Sequence, residues 1–429
     1  METITHSVTL DADKCKGCIN CIKRCPTEAI RVRNGKAMII SDRCIDCGEC
    51  IRVCPHHAKK AVVDPFESIF RYKHVVALPA PTLYGQFKKV DDINAILTAL
   101  KRIGFDDVFE VALAADAVSR YTARALAAGR LKLPAISSAC PAILRIIRVR
   151  FPELIPHVHA IHAPMEFAAR WARKRAVEKT GLKPEDIGCV FITPCPAKIT
   201  CSREPIGTEK SAVSAVVSIA ELYPLLLAAL KNIEVERLAM AGSPGIGWAI
   251  TGGECAAIER PEYLAADGME NAISVLEALE DDKISDIDFI ELDACIGGCV
   301  GGVLTVENPF IAKGRIKRLY EHKTDPVMIE NAPVGEITWD TELAYEPVMR
   351  LDDDIAVAMR KLEQIQELET HFKGMDCGAC GAPSCRAMAE DIVAGYASED
   401  MCIFRMREIL QSLLAEKNEA GGEQAHDGS

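Results

Sequence analysis

The strongest constraint on this chain is a cysteine pattern that occurs twice near its start. "CKGCINCIKRCP" supplies Cys15, Cys18, Cys21 and Cys25, and 29 residues later "CIDCGECIRVCP" supplies Cys44, Cys47, Cys50 and Cys54. Each copy reads C-x2-C-x2-C-x3-C-P. The first residues, "METITHSVTL", lack the basic stretch followed by an apolar one that marks a secretory leader. A cytoplasmic protein is therefore expected, and nineteen cysteines in a reducing compartment point to metal ligation before disulfides.

Three thiolates in a tight loop can hold three corners of an iron–sulfur cubane, and the distal cysteine of the other copy can supply the fourth, as in bacterial ferredoxins. The spacing thus predicts one [4Fe-4S] cluster on Cys15, Cys18, Cys21 and Cys54, and a second on Cys44, Cys47, Cys50 and Cys25. Paired zinc sites are the alternative, but tetrahedral zinc does not normally use a crossed Cys-Pro repeat. Near the other end "GMDCGACGAPSC" followed by Cys402 gives C-x2-C-x4-C-x16-C, so Cys377, Cys380, Cys385 and Cys402 form a further candidate set. Glycines beside these ligands let backbone N–H groups approach sulfur. Zinc remains an alternative here, and the two cubanes upstream favour iron. The motif resembles small C-terminal 4Fe-4S modules of redox subunits.

Between these ends, short β-branched runs alternate with helical patterns, as an α/β fold with parallel sheets requires. The runs "HVVALPA", "DVFEVAL", "LPAISS", "CVFITP" and "DFIELDA" read as buried strands. "VDDINAILTALKRIGF" reads as a helix, with Val90, Ile93, Ile96, Leu97, Leu100 and Ile103 on one face and Gly104 as its stop. A net charge of -12, from 50 basic and 62 acidic side chains, argues against a nucleic-acid surface. The most apolar segment, "SAVSAVVSIAELYPLLLAAL", is interrupted by Glu221 and Pro224 and is not expected to span a membrane. The expected organisation is a double-cluster domain over 1–70, an α/β domain over 71–350, a helix with a cluster module over 351–412, and a disordered tail over 413–429.

The "SSACP" stretch holds a lone cysteine, Cys140, which taken alone reads as a small buried hydrophobe. Cys195 and Cys295 also lie at the ends of predicted strands, however, and Cys299 follows in "ACIGGC". Ligands of open α/β folds gather at the carboxyl ends of parallel strands, so these four sulfurs can converge.

At this point the sequence resembles the [FeFe] hydrogenases. "SSACP", "TPCPAK" and "ELDACIGGCVGG" are similar, in modified form, to the three signatures of that family's catalytic domain, and a double ferredoxin domain commonly precedes it. The resemblance implies that Cys140, Cys195, Cys295 and Cys299 hold a third cubane, making four [4Fe-4S] clusters with the C-terminal one. It also implies that Cys299 bridges this cubane to a two-iron subcluster carrying CO, CN and azadithiolate ligands, together the H-cluster. Lys198 matches the lysine that hydrogen-bonds a cyanide, whereas a lysine read alone is a solvated surface residue. Pro79, Ala80 and Met165 match pocket-wall positions, and Trp248 stands in place of a phenylalanine.

The departures concern proton delivery. Ala139 stands where catalytic members carry the proton-transfer cysteine, and Thr122 and Ala125 fall near the expected glutamate. Thr193 stands where Met is usual, Cys201 where Glu is, and Asp293 where Met is. Such a pattern is similar to that of the sensory hydrogenases. Glu254 and Glu291 are the candidate replacements as proton carriers, with a helix cap and a hydrogen bond to the cluster loop as their structural alternatives. Cys189, Cys201 and Cys255 are expected in the core. The function implied is slow interconversion of H2 with protons and electrons, in a sensor that exchanges electrons with a redox or signalling protein and depends on hydrogenase maturation proteins. The alternatives are an ordinary catalytic subunit and a non-catalytic iron–sulfur assembly relative without the two-iron unit.

Overall fold

The computed structural model describes residues 6–321 and 334–423. In chain order the strands used below are β1 (Ile30–Arg33), β2 (Lys36–Ile39), β3 (His74–Pro79), β4 (Asp107–Val108), β5 (Ala135–Ile136), β6 (Ile187–Thr193), β7 (Ala215–Ser218), β8 (Tyr263–Asp267) and β9 (Phe289–Asp293). The helices are α1 (Asn20–Lys23), α2 (Glu49–Arg52), α3 (Ile93–Arg102), α4 (Val111–Ala127), α5 (Pro141–Arg150), α6 (Pro164–Thr180), α7 (Pro196–Arg203), α8 (Ile219–Ala229), α9 (Gly253–Ile258), α10 (Ile355–His371), α11 (Cys385–Val393) and α12 (Ile403–Glu423). Two compact units emerge. One comprises Met1–Val8, Ile45–Gly48 and Ala61–Glu346; the other comprises Thr9–Cys44, Glu49–Lys60 and Pro347–Ser429.

The larger unit carries two parallel sheets, of order β4-β3-β6-β7 and β8-β9-β5. All seven residues of β6, "IGCVFIT", are buried, as a strand covered on both faces must be. Its register with β3 sets Leu78 opposite Phe191 and Pro79 opposite Ile192. Helix α3 occupies the predicted face, and the Asp92 carboxylate accepts from the Asn94 N–H to cap it. "DVFEVAL" behaves differently from the expectation. It is strand only at Asp107–Val108, and α4 begins at Val111. The buried Glu110 accepts from the Ala241 N–H at 2.9 Å and from Tyr84 Oη at 3.0 Å, which draws the chain out of the sheet, and the Ala-rich sequence that follows favours helix. The apolar segment around Pro224 divides into β7 and α8. No helix among the described residues is long and apolar enough to cross a membrane. The expected core cysteines Cys189, Cys201 and Cys255 are buried.

The smaller unit combines the cysteine repeat, Cys47 excepted, with the C-terminal segment. β1 and β2 pair antiparallel, Ile30 opposite Ile39. Helix α10 is capped by Asp354, whose carboxylate accepts from the Ala356 and Val357 N–H groups, and α11 by Ser384, whose hydroxyl accepts from Ala387. Ile365, Phe372, Ala382, Ala387, Met388 and Ala389 close its core. One expectation is corrected here. The tail from 413 is not irregular throughout, because α12 continues to Glu423, carried by the good helix formers Leu413, Leu414, Ala415, Glu416 and Lys417. Residues 424–429 lie outside the described residues.

Candidate metal centres

Two strand-to-helix joints deliver the first sulfurs of the larger unit. Cys140 is the residue ahead of α5 and Cys195 the residue ahead of α7, each followed by proline at the first helical position. Proline there lacks only an N–H that has no helical partner anyway. The thiol in front faces the unpaired N–H groups of the helix start, which favour its thiolate form. Cys295 and Cys299 follow β9 in a glycine loop. Gly298 has φ of +87°, and a Cβ there would sit 2.5 Å from the Thr251 amide nitrogen, so this close approach excludes any side chain.

Burial raises the thiols of Cys140 and Cys299 to about 11, and the neighbouring sulfurs reinforce the shift, Cys195 acting on Cys140 and Cys140 on Cys299. Lys198 supplies the compensating charge, its Nζ 3.5 Å from Cys299 Sγ. Burial opposes that charge, but the attraction of Cys299, Cys195 and Cys140 outweighs it and holds the ammonium above its usual range. Three converging thiols with a half-buried ammonium beside them suit a thiolate-bound, anionic metal group. Cys295 is buried at the end of β9 in the same loop as Cys299.

Beside this cluster of sulfurs lies a small cavity of about 50 Å³. Ala80, Ala139, Met165, Lys198, Trp248 and Cys299 all face it. Pro79, expected on the wall, is not there; it is paired within the sheet, and Pro81 and Thr82 of the following turn take its place. Trp248 is held by its Nε1–H donating to Ser119 Oγ at 2.9 Å. Thr122 and Ala125 are buried in α4 away from the wall, and Thr122 donates to the Val118 carbonyl of its own helix. Thr193 accepts from the Cys195 N–H at 3.1 Å, bracing that ligand position.

One side of the cavity is acidic. Glu254, Glu291 and Asp293 all reach it, although Asp293 registered in the sequence only as a replaced methionine. Strand alternation was the available signal, because residues 291 and 293 of one strand share a face. Glu291 accepts from the N–H groups of Gly252 (2.8 Å) and Cys255 (2.9 Å), so it caps α9. Glu254 Oε2 accepts from Ser137 Oγ at 2.6 Å, and that same hydroxyl accepts from the Ala139 N–H at 3.1 Å. Burial and the neighbouring Glu291 raise Glu254 well above the carboxyl range and raise Asp293 to about 8. Burial also raises Glu291, against the pull of its backbone donors. Two backbone N–H bonds favour the ionised form at Glu291, so the proton of this group resides first on Glu254.

In the smaller unit, backbone N–H groups point at sulfur. Ala37 donates to Cys15 at 3.4 Å, Ala29 to Cys25 at 3.2 Å and Ala58 to Cys54 at 3.3 Å. Lys59 is 3% exposed, its Nζ has no hydrogen-bond partner among the described residues, and its charge acts on both Cys21 and Cys54. A buried lysine without a partner beside thiols from both copies of the repeat is what an anionic cubane there requires. Cys377, Cys380, Cys385 and Cys402 line one small pocket. None of the nineteen cysteines is in a disulfide.

The fold and its cysteine sets define an iron–sulfur redox protein. Residues 73–263 match the profile of the iron-only hydrogenase large subunit, C-terminal domain; residues 7–55 match the 4Fe-4S dicluster domain, and 374–404 the FeS family of Fe–S cluster domains. Curated relatives include the periplasmic [Fe] hydrogenase large subunit of Nitratidesulfovibrio vulgaris, 29% identical over 212 residues (45% of this chain, 50% of the relative). Iron hydrogenase 1 of Clostridium pasteurianum is 26% identical over 373 residues (70% of this chain, 64% of the relative). The chain thus spans between half and two thirds of the length of these relatives. An [FeFe]-hydrogenase structure from Chlamydomonas reinhardtii superposes with a TM-score of 0.51 at 18% identity, covering 66% of this chain and 97% of that one, a likeness of fold. Over residues 73–263 the chain is thus similar to the catalytic domain of the iron-only, [FeFe] hydrogenases.

Proposed function

We propose that this chain holds a cubane on Cys140, Cys195, Cys295 and Cys299, with a two-iron unit attached at Cys299, and that it interconverts H2 with protons and electrons slowly, as a sensor. The carrying observation is Lys198 Nζ, 3.5 Å from Cys299 Sγ, at a cavity whose wall has alanine at position 139. When bound, the two-iron unit supplies the site for H2 and, through its bridgehead amine, a proton acceptor. The chain's own residues do the rest. Lys198 binds and orients an anionic ligand through a charge-assisted hydrogen bond. Ala80, Met165 and Trp248 exclude water. Alanine at 139 cannot carry a proton, which supports low turnover.

Ser137 favours some turnover over none. Its hydroxyl lines the cavity and donates to Glu254, so the pair can pass a proton from the carboxyl toward the cavity without a thiol at 139. Electrons are exchanged with a redox or signalling protein in the cytoplasm, and hydrogenase maturation proteins install the two-iron unit. Infrared spectroscopy of the maturated protein tests the reading, since metal-bound CO and CN absorb where protein does not. Their bands together with slow dye-linked H2 oxidation are expected. Loaded cubanes without those bands would overturn the two-iron assignment and favour an iron–sulfur assembly role.

A further inference from the structure

The C-terminal cysteine module and the N-terminal repeat are more than 300 residues apart in sequence, yet they pack within one compact unit. The β1 amide of Val32 donates to the Gly381 carbonyl at 2.8 Å. Gly381 has φ of +81°, and a Cβ there would lie 2.0 Å from the Val32 carbonyl oxygen, so backbone meets backbone with no room for a side chain. Arg33 Nη1 donates to the Cys380 carbonyl at 3.1 Å, and Lys23 Nζ donates to the carbonyls of Asp376 and Pro383. Beneath these contacts Asp391, 7% exposed, bridges Arg31 (2.7 Å) and Arg33.

These contacts run between neighbours of proposed ligands. Lys23 is two residues beyond Cys21, and Asp376 immediately precedes Cys377. Ile22 Cδ1 stands 3.4 Å from where a Cβ on Gly378 would be. A buried ion triad is a poor source of stability but a strong constraint on geometry, because separating its members strands charge in the interior. The arrangement suits a joint that must hold two redox centres at fixed separation.

We infer that the C-terminal module is docked on the ferredoxin repeat as its electron-exchange partner, with the cluster on Cys377, Cys380, Cys385 and Cys402 serving the cubane held by Cys21. The inference rests on the reading that both cysteine sets bind [4Fe-4S] clusters. One electron leaves a reduced cubane and the oxidised neighbour takes it up; no bond forms and no proton moves. A one-electron redox protein outside the chain is the source or sink.

The test uses the full chain, reconstituted anaerobically without the two-iron unit and reduced with dithionite. Two paramagnetic clusters at this joint broaden each other's electron paramagnetic resonance signals. Cys377→Ser with Cys380→Ser is expected to lower iron by about four per chain and to sharpen the remaining ferredoxin signals. Asp391→Ala, which touches no ligand, is expected to keep its iron and lose the same broadening. A double serine variant that loses its iron while the other signals keep their width would overturn the docking inference. Unchanged iron in that variant would instead overturn the cluster assignment beneath it. Should Asp391→Ala fail to load iron, the comparison between wild type and the double serine variant decides alone.

Discussion

Replacing Glu254 by glutamine separates a proton carrier from a structural carboxylate. Glu254 is 4% exposed, receives the Ser137 hydroxyl at 2.6 Å and is faced by Glu291, Asp293 and Lys198. Its folded pKa lies well above its unfolded value near 4.5. The folded state therefore keeps a proton that the unfolded chain has lost. The stability contributed by this group is complete below pH 4.5 and declines as pH rises through and above it, with a slope of at most about 1.4 kcal/mol per pH unit while the folded group stays protonated. Glutamine mimics the neutral carboxyl, keeps an acceptor for Ser137 and never ionises. Relative to wild type, Glu254→Gln should match in stability near pH 5 and gain up to about 2.7 kcal/mol by pH 7, which is two pH units of that slope. Loss of clusters makes global unfolding irreversible, so the quantity to follow is hydrogen exchange at the amides of β9. Hydrogen turnover of the same maturated variant should fall tenfold or more, the lower range for a lost proton transfer, with the CO and CN bands unchanged. An exchange profile whose pH slope equals that of wild type would refute the protonated state, and full turnover would refute the route. Glu291→Gln should behave oppositely, losing about 1.5–3 kcal/mol because an amide N–H then faces one of the two backbone donors that the carboxylate satisfied.

Lys198→Ala should leave every cubane in place and weaken retention of the two-iron unit, since a charged hydrogen bond of about 1.5–3 kcal/mol is lost; normal infrared bands in that variant would contradict the role. His159, 5% exposed and stacked on Tyr121, has its pKa lowered to about 4 by burial and by the charge of Arg130, from 6.5 unfolded. The unfolded chain then binds the extra proton below pH 6.5, so stability should fall as pH drops from 6.5 toward 4, by up to about 3 kcal/mol, and His159→Gln should flatten that limb of the amide-exchange protection of α4. Asp46, 1% exposed, accepts from the Ser7 and Val8 amides at 3.0 Å, from Thr200 Oγ1 at 2.7 Å and from Arg145 at 3.2 Å. Asp46→Ala should destabilise the larger unit by about 3–5 kcal/mol by stranding a buried guanidinium, read as faster proteolysis of the segment ahead of Val8.

Much of this protein was legible in order of sequence because its chemistry is local. The doubled Cys-x2-Cys-x2-Cys-x3-Cys-Pro run needs only a few turns of chain to present its thiols, and strands such as "CVFITP" announce themselves by continuous burial. "DVFEVAL" misled because its apolar residues suit either element, and the choice fell to Glu110, whose partners Tyr84 and Ala241 are remote in sequence. Pro79 ends its strand just short of the cavity wall, which starts at Ala80, for a related reason, since the point where a strand leaves its sheet depends on its neighbours.

The sequence by itself determined the cysteine sets and the iron–sulfur class they point to, because residue identity and spacing are properties of the chain, and the parallel α/β class, because periodicity is. Only the tertiary structure decided how remote groups act on one another. It set Lys198 against Cys299, gave Ser137 to Glu254 and two backbone donors to Glu291, and so assigned different tasks to two glutamates that read alike in sequence. It also joined the last cysteine module to the first, through Asp391 and a pair of arginines. Electrostatic coupling and desolvation depend on distance and burial in space, and neither quantity is written along the chain.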